Sequence, residues 1–222
     1  MSGVRLPLAG RQEGGQVLAR RLAHLQGHED LLVLALPRGG VAVGFEVARA
    51  LHAELDVFIV RKLGFPGHEE YAMGAIASGG VQVMNDAPGW NPAPRDVEAV
   101  VQRERAELAR RERLYRGDRE PPPVQGRTVI VVDDGLATGA TMRAAVAAIR
   151  KLRPASLVVA VPVGARETCE QLRREADEVV CAAQPAPFRA VGLWYREFPQ
   201  STDEEVKTLL ARARQEHAHP AH

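Results

Sequence analysis

VIVVDDGLATGAT, Val129–Thr141, runs four β-branched apolar residues into two adjacent carboxylates and then into a glycine-containing loop. The apolar run has the character of a strand buried on both faces. Met142–Leu152, Ala-rich and helical in pattern, follows it. The loop therefore joins the C-terminal end of a buried strand to a helix N-terminus. Backbone N–H groups there have no intrahelical partner and the helix dipole favours an anion. Gly135 and Gly139 permit tight turning, Thr138 and Thr141 add hydroxyl donors, and Leu136, Ala137 and Ala140 complete the loop. Asp133 and Asp134 only accept hydrogen bonds when ionised, so they suit ribose hydroxyls or a magnesium shell rather than a phosphate. A phosphate at one end and hydroxyls at the other describe a sugar phosphate. The loop is not a Walker A motif, which needs GxxxxGK[ST]; no lysine lies between Lys62 and Lys151.

Working outward, helices and strands alternate. A helical stripe covers Gln12–Leu25, and Leu31–Leu36 reads as a short buried strand. Pro37-Arg38-Gly39-Gly40 ends that strand, and Val41–Leu51 is helical. Leu55–Val60 is expected as a second strand, with Arg61-Lys62 at its end and the lid loop Leu63–Gly74 beyond. Met73–Ala77 and Val81–Met84 form a hairpin, Asn85–Pro94 is rich in turn residues, and Arg95–Arg116 is a long helix with balanced, solvated charges. After Pro121-Pro122-Pro123 come the Val129 strand, a strand at Leu157–Val161, a helix near Arg166–Glu175 and a strand at Glu178–Cys181. Asp203–Arg214 closes as an amphipathic helix capped by Ser201 or Thr202, with HAHPAH as a frayed tail. The expected architecture is a doubly wound, mostly parallel α/β sheet with helices on both faces. One domain would span residues 1–222, with a hairpin lid, a helical insertion at about 85–124, and a C-terminal hood and helix at about 183–216. Ligands gather at the strands' C-terminal edge in such sheets, and the loops with unusual chemistry fall there.

The pattern of four apolar residues followed by DDxxxTGxT resembles the signature of the type I phosphoribosyltransferase family. The resemblance implies transfer of the phosphoribosyl group of 5-phosphoribosyl 1-pyrophosphate to a nitrogenous base or amine, with release of pyrophosphate. It implies that Asp133 and Asp134 hold the ribose hydroxyls and touch Mg²⁺ through water. Arg38, Gly39 and Gly40 fall where the family places its pyrophosphate loop, often with a cis peptide, for which the bond before Arg38 is the candidate. The Arg38 guanidinium can fork onto two phosphate oxygens. Arg61 and Lys62, adjacent cations, would neutralise the leaving group together with Mg²⁺. Glu69 and Glu70 on the lid are candidates for a base or a magnesium contact. Phe188, Trp194, Tyr195 and Phe198 crowd the last loop. They serve either as a hood offering Phe188 or Trp194 to a flat acceptor, or as anchors of that loop on the core. A regulator that senses the same ligand is the alternative to an enzyme.

Composition narrows the classes. At 222 residues, 45% hydrophobic and 26% charged, the chain suits one soluble α/β domain with a sizeable core. A net charge of +1 gives no electrostatic case for nucleic acid or a membrane surface. No apolar run approaches the roughly 20 residues of a membrane span. Cys169 and Cys181 lack metal or disulfide-framework spacing. A cytoplasmic location is expected, the partner is a small molecule, and homo-oligomerisation stays open.

Overall fold

The computed structural model describes residues 4–85 and 92–218, apart from the side chain of Glu70. The first half of the chain forms α1 (Arg11–Arg21), β1 (Leu31–Ala35), α2 (Gly39–Leu51), β2 (Glu54–Val57), β3 (Val60–Phe65), β4 (His68–Ala77) and β5 (Val81–Met84). The second half forms α3 (Pro94–Arg116), β6 (Thr128–Val132), α4 (Ala140–Lys151), β7 (Ser156–Val163), α5 (Arg166–Leu172), β8 (Glu178–Ala183) and α6 (Asp203–Ala218). Part of the turn-rich segment before α3 and the last four residues of the histidine tail lie outside the described residues.

Five strands make a parallel sheet in the order β2-β1-β6-β7-β8. Past the first residues of β6 and β7 its central strands are apolar throughout, because both faces are covered. Val33, Ala35, Ile130, Val132, Val158 and Ala160 meet residues of α1, α2 and α6 on one face. Leu32, Leu34, Val129, Val131, Leu157, Val159 and Val161 meet α4 and α5 on the other. Each fully buried Val, Leu or Ile is worth about 1.5–3 kcal/mol, which makes this two-faced burial the main stabilising term. The doubly wound parallel sheet expected from the sequence is the fold observed. α1 packs against α2 through glycine at the crossing. A Cβ at Gly15 would come within 2.7 Å of the Glu46 Cβ and 2.8 Å of the Val43 carbonyl oxygen.

The expected second strand, Leu55–Val60, is two strands in two sheets. β2 ends at Val57, Phe58 N–H still donates to Ala35 of β1 at 2.9 Å, and Ile59 exchanges hydrogen bonds with Ser78. From Val60 the chain belongs to an antiparallel sheet ordered β3-β4-β5. Periodicity could not mark the crossing, since Val57, Phe58 and Ile59 are all buried. The lid Leu63–Gly74 is accordingly a β-hairpin turning at Pro66-Gly67, not an irregular loop. The hairpin expected at Met73–Met84 is present as β4 and β5, with β4 beginning earlier, at His68. At the start of α6, Thr202 Oγ1 accepts from Glu205 N–H at 3.1 Å and a Glu205 carboxylate oxygen accepts from Thr202 N–H at 2.8 Å. This reciprocal capping box selects Thr202 over Ser201.

The long helix α3 is not solvated along its whole charged length. Arg116 and Asp56 are buried together, with Nε donating to Oδ2 at 2.7 Å, while an Arg116 amine donates to Val57 O at 2.6 Å. Burial pushes the Asp56 carboxyl above the usual carboxylate range, against the pull of Arg116. Removing only the cation leaves an uncompensated buried carboxylate, which costs about 3–5 kcal/mol, whereas replacing both partners costs far less. Arg116→Met should therefore lower the urea midpoint markedly, and adding Asp56→Asn to it should recover most of the loss. Equal midpoints for the single and double variants would contradict this.

Candidate active site at the reversal of strand order

β1 sends its helix toward β2, and β6 sends its helix the opposite way toward β7. The loops leaving these neighbouring strands diverge and open a crevice at their C-terminal ends, where ligands of such sheets sit. The first loop presses hard against the second. A Cβ on Gly39 would collide with the Asp134 carboxylate, and one on Gly40 would come within 2.8 Å of Val132 O and 3.0 Å of the Asp133 Cα. The glycine pair thus lets the Pro37–Gly40 loop touch the carboxylate turn. The Pro37–Arg38 peptide is cis, the bond the family resemblance singles out.

β6 ends at Val132, so Asp133 and Asp134 are free of strand alternation. Asp133 Oδ1 accepts the Asp134 N–H at 2.8 Å. Burial, reinforced by the charge of Asp134, holds the Asp133 carboxyl well above the usual carboxylate range. Burial also raises Asp134, against the counter-pull of the Arg11 guanidinium. Arg11 Nε donates to Asp134 Oδ2 at 2.8 Å, and the Tyr195 hydroxyl donates to the Asp134 carbonyl at 2.6 Å.

Beyond the carboxylates the loop is tied to its neighbours through its backbone. Leu136 N–H donates to Val163 O at 3.0 Å, and Leu136 O accepts from Ala165 N–H at 2.8 Å. Its side chain is buried, so Leu136 anchors the loop on β7 and does not line the crevice. The Thr168 hydroxyl of α5 donates to Ala137 O at 2.6 Å. Gly139 takes φ +72°, the left-handed region, at the N-cap of α4, with no side chain capping that helix. Ala137, Thr138, Ala140 and Thr141 are exposed around this open helix end, and Gly139 is half-buried. Ala140 and Thr141 line a cleft of about 510 Å³ together with Lys62 and Arg143.

The remaining candidates are divided. Arg61 and Lys62 are neighbours in β3 and do not act as a pair. Arg61 forks onto one Glu104 oxygen of α3 at 2.9 and 2.7 Å, while Lys62 lines the cleft beside Thr141. The idea of two cations converging on one polyanion fails because β3 is a strand where a loop was expected, and strand neighbours face opposite ways. Arg38 lines a different cavity, a groove of about 1180 Å³ between the start of α1 and the start of α6 that also includes Arg11, Gln12, Arg196 and Ser201. Glu69 pairs with Arg103 at 3.2 Å on the exposed side of the hairpin; the Glu70 side chain is outside the description. Phe188 and Trp194 lie 6.1 Å apart, ring centre to ring centre, and pack with Tyr195 and Phe198 onto Leu8 and Val163. Of the two readings of this aromatic cluster, the packing follows the anchor.

Arg11 and Thr168 were not singled out by the sequence. Arg11 touches Asp134 across 123 positions and Thr168 touches Ala137 across 31, separations that no local pattern encodes. The only signals were an arginine and a threonine at the start of helical stripes.

The model of the phosphoribosyl transferase domain family matches residues 11–193. Two Mycobacterium tuberculosis proteins provisionally named phosphoribosyl transferases, MT0597 and Rv0571c, are each 46% identical over 210 residues, covering 94% of this chain and 47% of theirs. The chain thus spans about half the length of these curated relatives. The crystal structure of TT1426 from Thermus thermophilus superposes with a TM-score of 0.82 at 43% identity, over 92% of this chain and 98% of that one. With the signature loop at the reversal of strand order and a family match over most of its length, the chain belongs to the phosphoribosyl transferase domain family.

Proposed function

We propose that this protein transfers the phosphoribosyl group of 5-phosphoribosyl 1-pyrophosphate to a nitrogen acceptor and releases pyrophosphate. The observation that carries the reading is the Asp133–Thr141 loop. It joins two half-buried carboxylates to an uncapped helix N-terminus that opens on the cleft holding Lys62. Thr138–Thr141 and the first turn of α4 would receive the 5-phosphate, since uncapped N–H groups and the dipole both favour an anion. Asp133 and Asp134 would accept hydrogen bonds from the ribose hydroxyls. Arg38, in the loop that packs on the two carboxylates, would balance charge on the departing pyrophosphate, and Lys62, in the cleft with Thr141, would balance charge on the 5-phosphate.

The residues fit Mg²⁺. No group of three or more His, Cys, Asp or Glu side chains among the described residues forms a dedicated metal cage. A pair of adjacent carboxylates does suit an ion that keeps its waters and completes its shell with substrate phosphates. Bound there, Mg²⁺ would supply charge neutralisation at the pyrophosphate. The protein's own task is electrostatic: cations and N–H donors fixed before charge develops at the leaving group.

Binding should be visible as stabilisation. Saturation at a hundredfold excess over Kd is worth about 2.7 kcal/mol, which for a chain this size raises Tm by roughly 5–10 °C. Phosphoribosyl pyrophosphate with Mg²⁺ should give such a shift, and ribose 5-phosphate a smaller one. No shift with either at millimolar concentration, confirmed by calorimetry, would overturn the reading. Lys62→Ala should weaken ribose 5-phosphate and phosphoribosyl pyrophosphate to a similar degree, because both carry the 5-phosphate; lost turnover with ribose 5-phosphate affinity kept would place Lys62 at the leaving group instead.

The acceptor is constrained by Ala137. Family members acting on 6-oxopurines generally carry an aspartate at this place, which meets the imidazole edge of the base. A methyl group neither accepts a hydrogen bond nor takes a proton, and the missing partner costs about 1–3 kcal/mol. Hypoxanthine and guanine should therefore be poor acceptors beside adenine, uracil and orotate in steady-state assays. Efficient turnover of either that survives Glu69→Gln and Glu70→Gln would refute this.

A further inference from the structure

Arg11 is the most connected side chain at the crevice that no motif accounts for. Its Nε holds Asp134 Oδ2 at 2.8 Å, one terminal amine donates to Pro199 O at 2.6 Å, and the guanidinium lies 3.9 Å above the centre of the Phe198 ring. The Phe198 ring in turn stacks on Tyr195, whose hydroxyl holds the Asp134 carbonyl. The Arg11 and Asp134 side chains are 12% and 15% exposed, so the pair is largely shielded from water. A surface ion pair would be worth almost nothing. In this pair the Pro199 and Phe198 contacts hold the guanidinium in one pose. The pair uses Oδ2 of the carboxylate, the same oxygen that a Cβ on Gly39 would strike, so the glycine leaves room for the pair.

We infer that Arg11 is a positioning residue. It fixes the Asp134 carboxylate in one orientation for the sugar hydroxyls, and does so by tying it to the segment Tyr195–Pro199. The inference rests on the proposed role of Asp134 in holding ribose. Arg11 itself touches no reacting atom. Its contribution passes through Asp134, and it has no part in phosphate binding at the far end of the loop. Loss of Arg11 should therefore weaken ligands that carry ribose hydroxyls and spare those that do not.

The test is calorimetric titration of ribose 5-phosphate and of inorganic phosphate into wild type, Arg11→Gln, Arg11→Lys, Asp134→Asn and the Arg11→Gln/Asp134→Asn double variant. Arg11→Gln, which keeps most of the side-chain length, should weaken ribose 5-phosphate about tenfold and leave inorganic phosphate within about twofold, the scale of one lost charge-assisted contact. Arg11→Lys should restore a large part of that loss. The double variant should bind ribose 5-phosphate no more weakly than Asp134→Asn alone, because both changes act on one interaction. Additive losses in the double variant, equal losses for the two ligands, or unchanged ribose 5-phosphate affinity in Arg11→Gln would each overturn the assignment. Wild type that fails to bind ribose 5-phosphate would instead refute the parent reading, and the positioning role with it.

Discussion

Two neighbouring strands whose helices leave in opposite directions create the constraint on which the rest of this molecule depends. β1 and β6 pair along their length, yet their following loops cannot stay together, because α2 must return to β2 and α4 to β7. The crevice between the loops is a topological necessity of the sheet order, and its position is fixed by burial on both faces. What fills its rim is chemistry chosen on that scaffold. Glycines permit the first loop to touch the second, carboxylates stand at the strand end, and an open helix terminus closes the other side.

The site is supported from behind by elements that carry no signature. Leu136 is bridged to the end of β7, Thr168 holds the carbonyl of Ala137, and Tyr195 holds that of Asp134. These contacts satisfy backbone groups of Asp134, Leu136 and Ala137 that would otherwise need partners of their own. They also explain why the aromatic residues after β8 pack inward: one of them is occupied in fixing the backbone of a carboxylate.

The legible part of the chain was the part governed by local rules. Buried strands announced themselves as β-branched runs, and the 133–141 loop showed its chemistry in its residue types. α3 and α6 followed apolar stripes and a capping box. The illegible part was set by partners distant in sequence. The crossing at Phe58–Ile59 was hidden because both sheets bury it. Arg61 turned out to serve Glu104, forty-three positions away. Arg11 and Thr168 gained their place only when α1 and α5 docked. Hydrophobic pattern names elements well, but it cannot say which charged side chain will meet which.

The bond from Arg11 to Pro199 spans 188 positions, and Leu8 lies in register with Tyr195 across a similar distance. Closing so long a span carries an entropic cost that grows with its length and is met late in folding. The contacts from Arg11 and Tyr195 that wall in Asp134 are therefore completed only when the first helix meets a segment almost two hundred residues later in the chain.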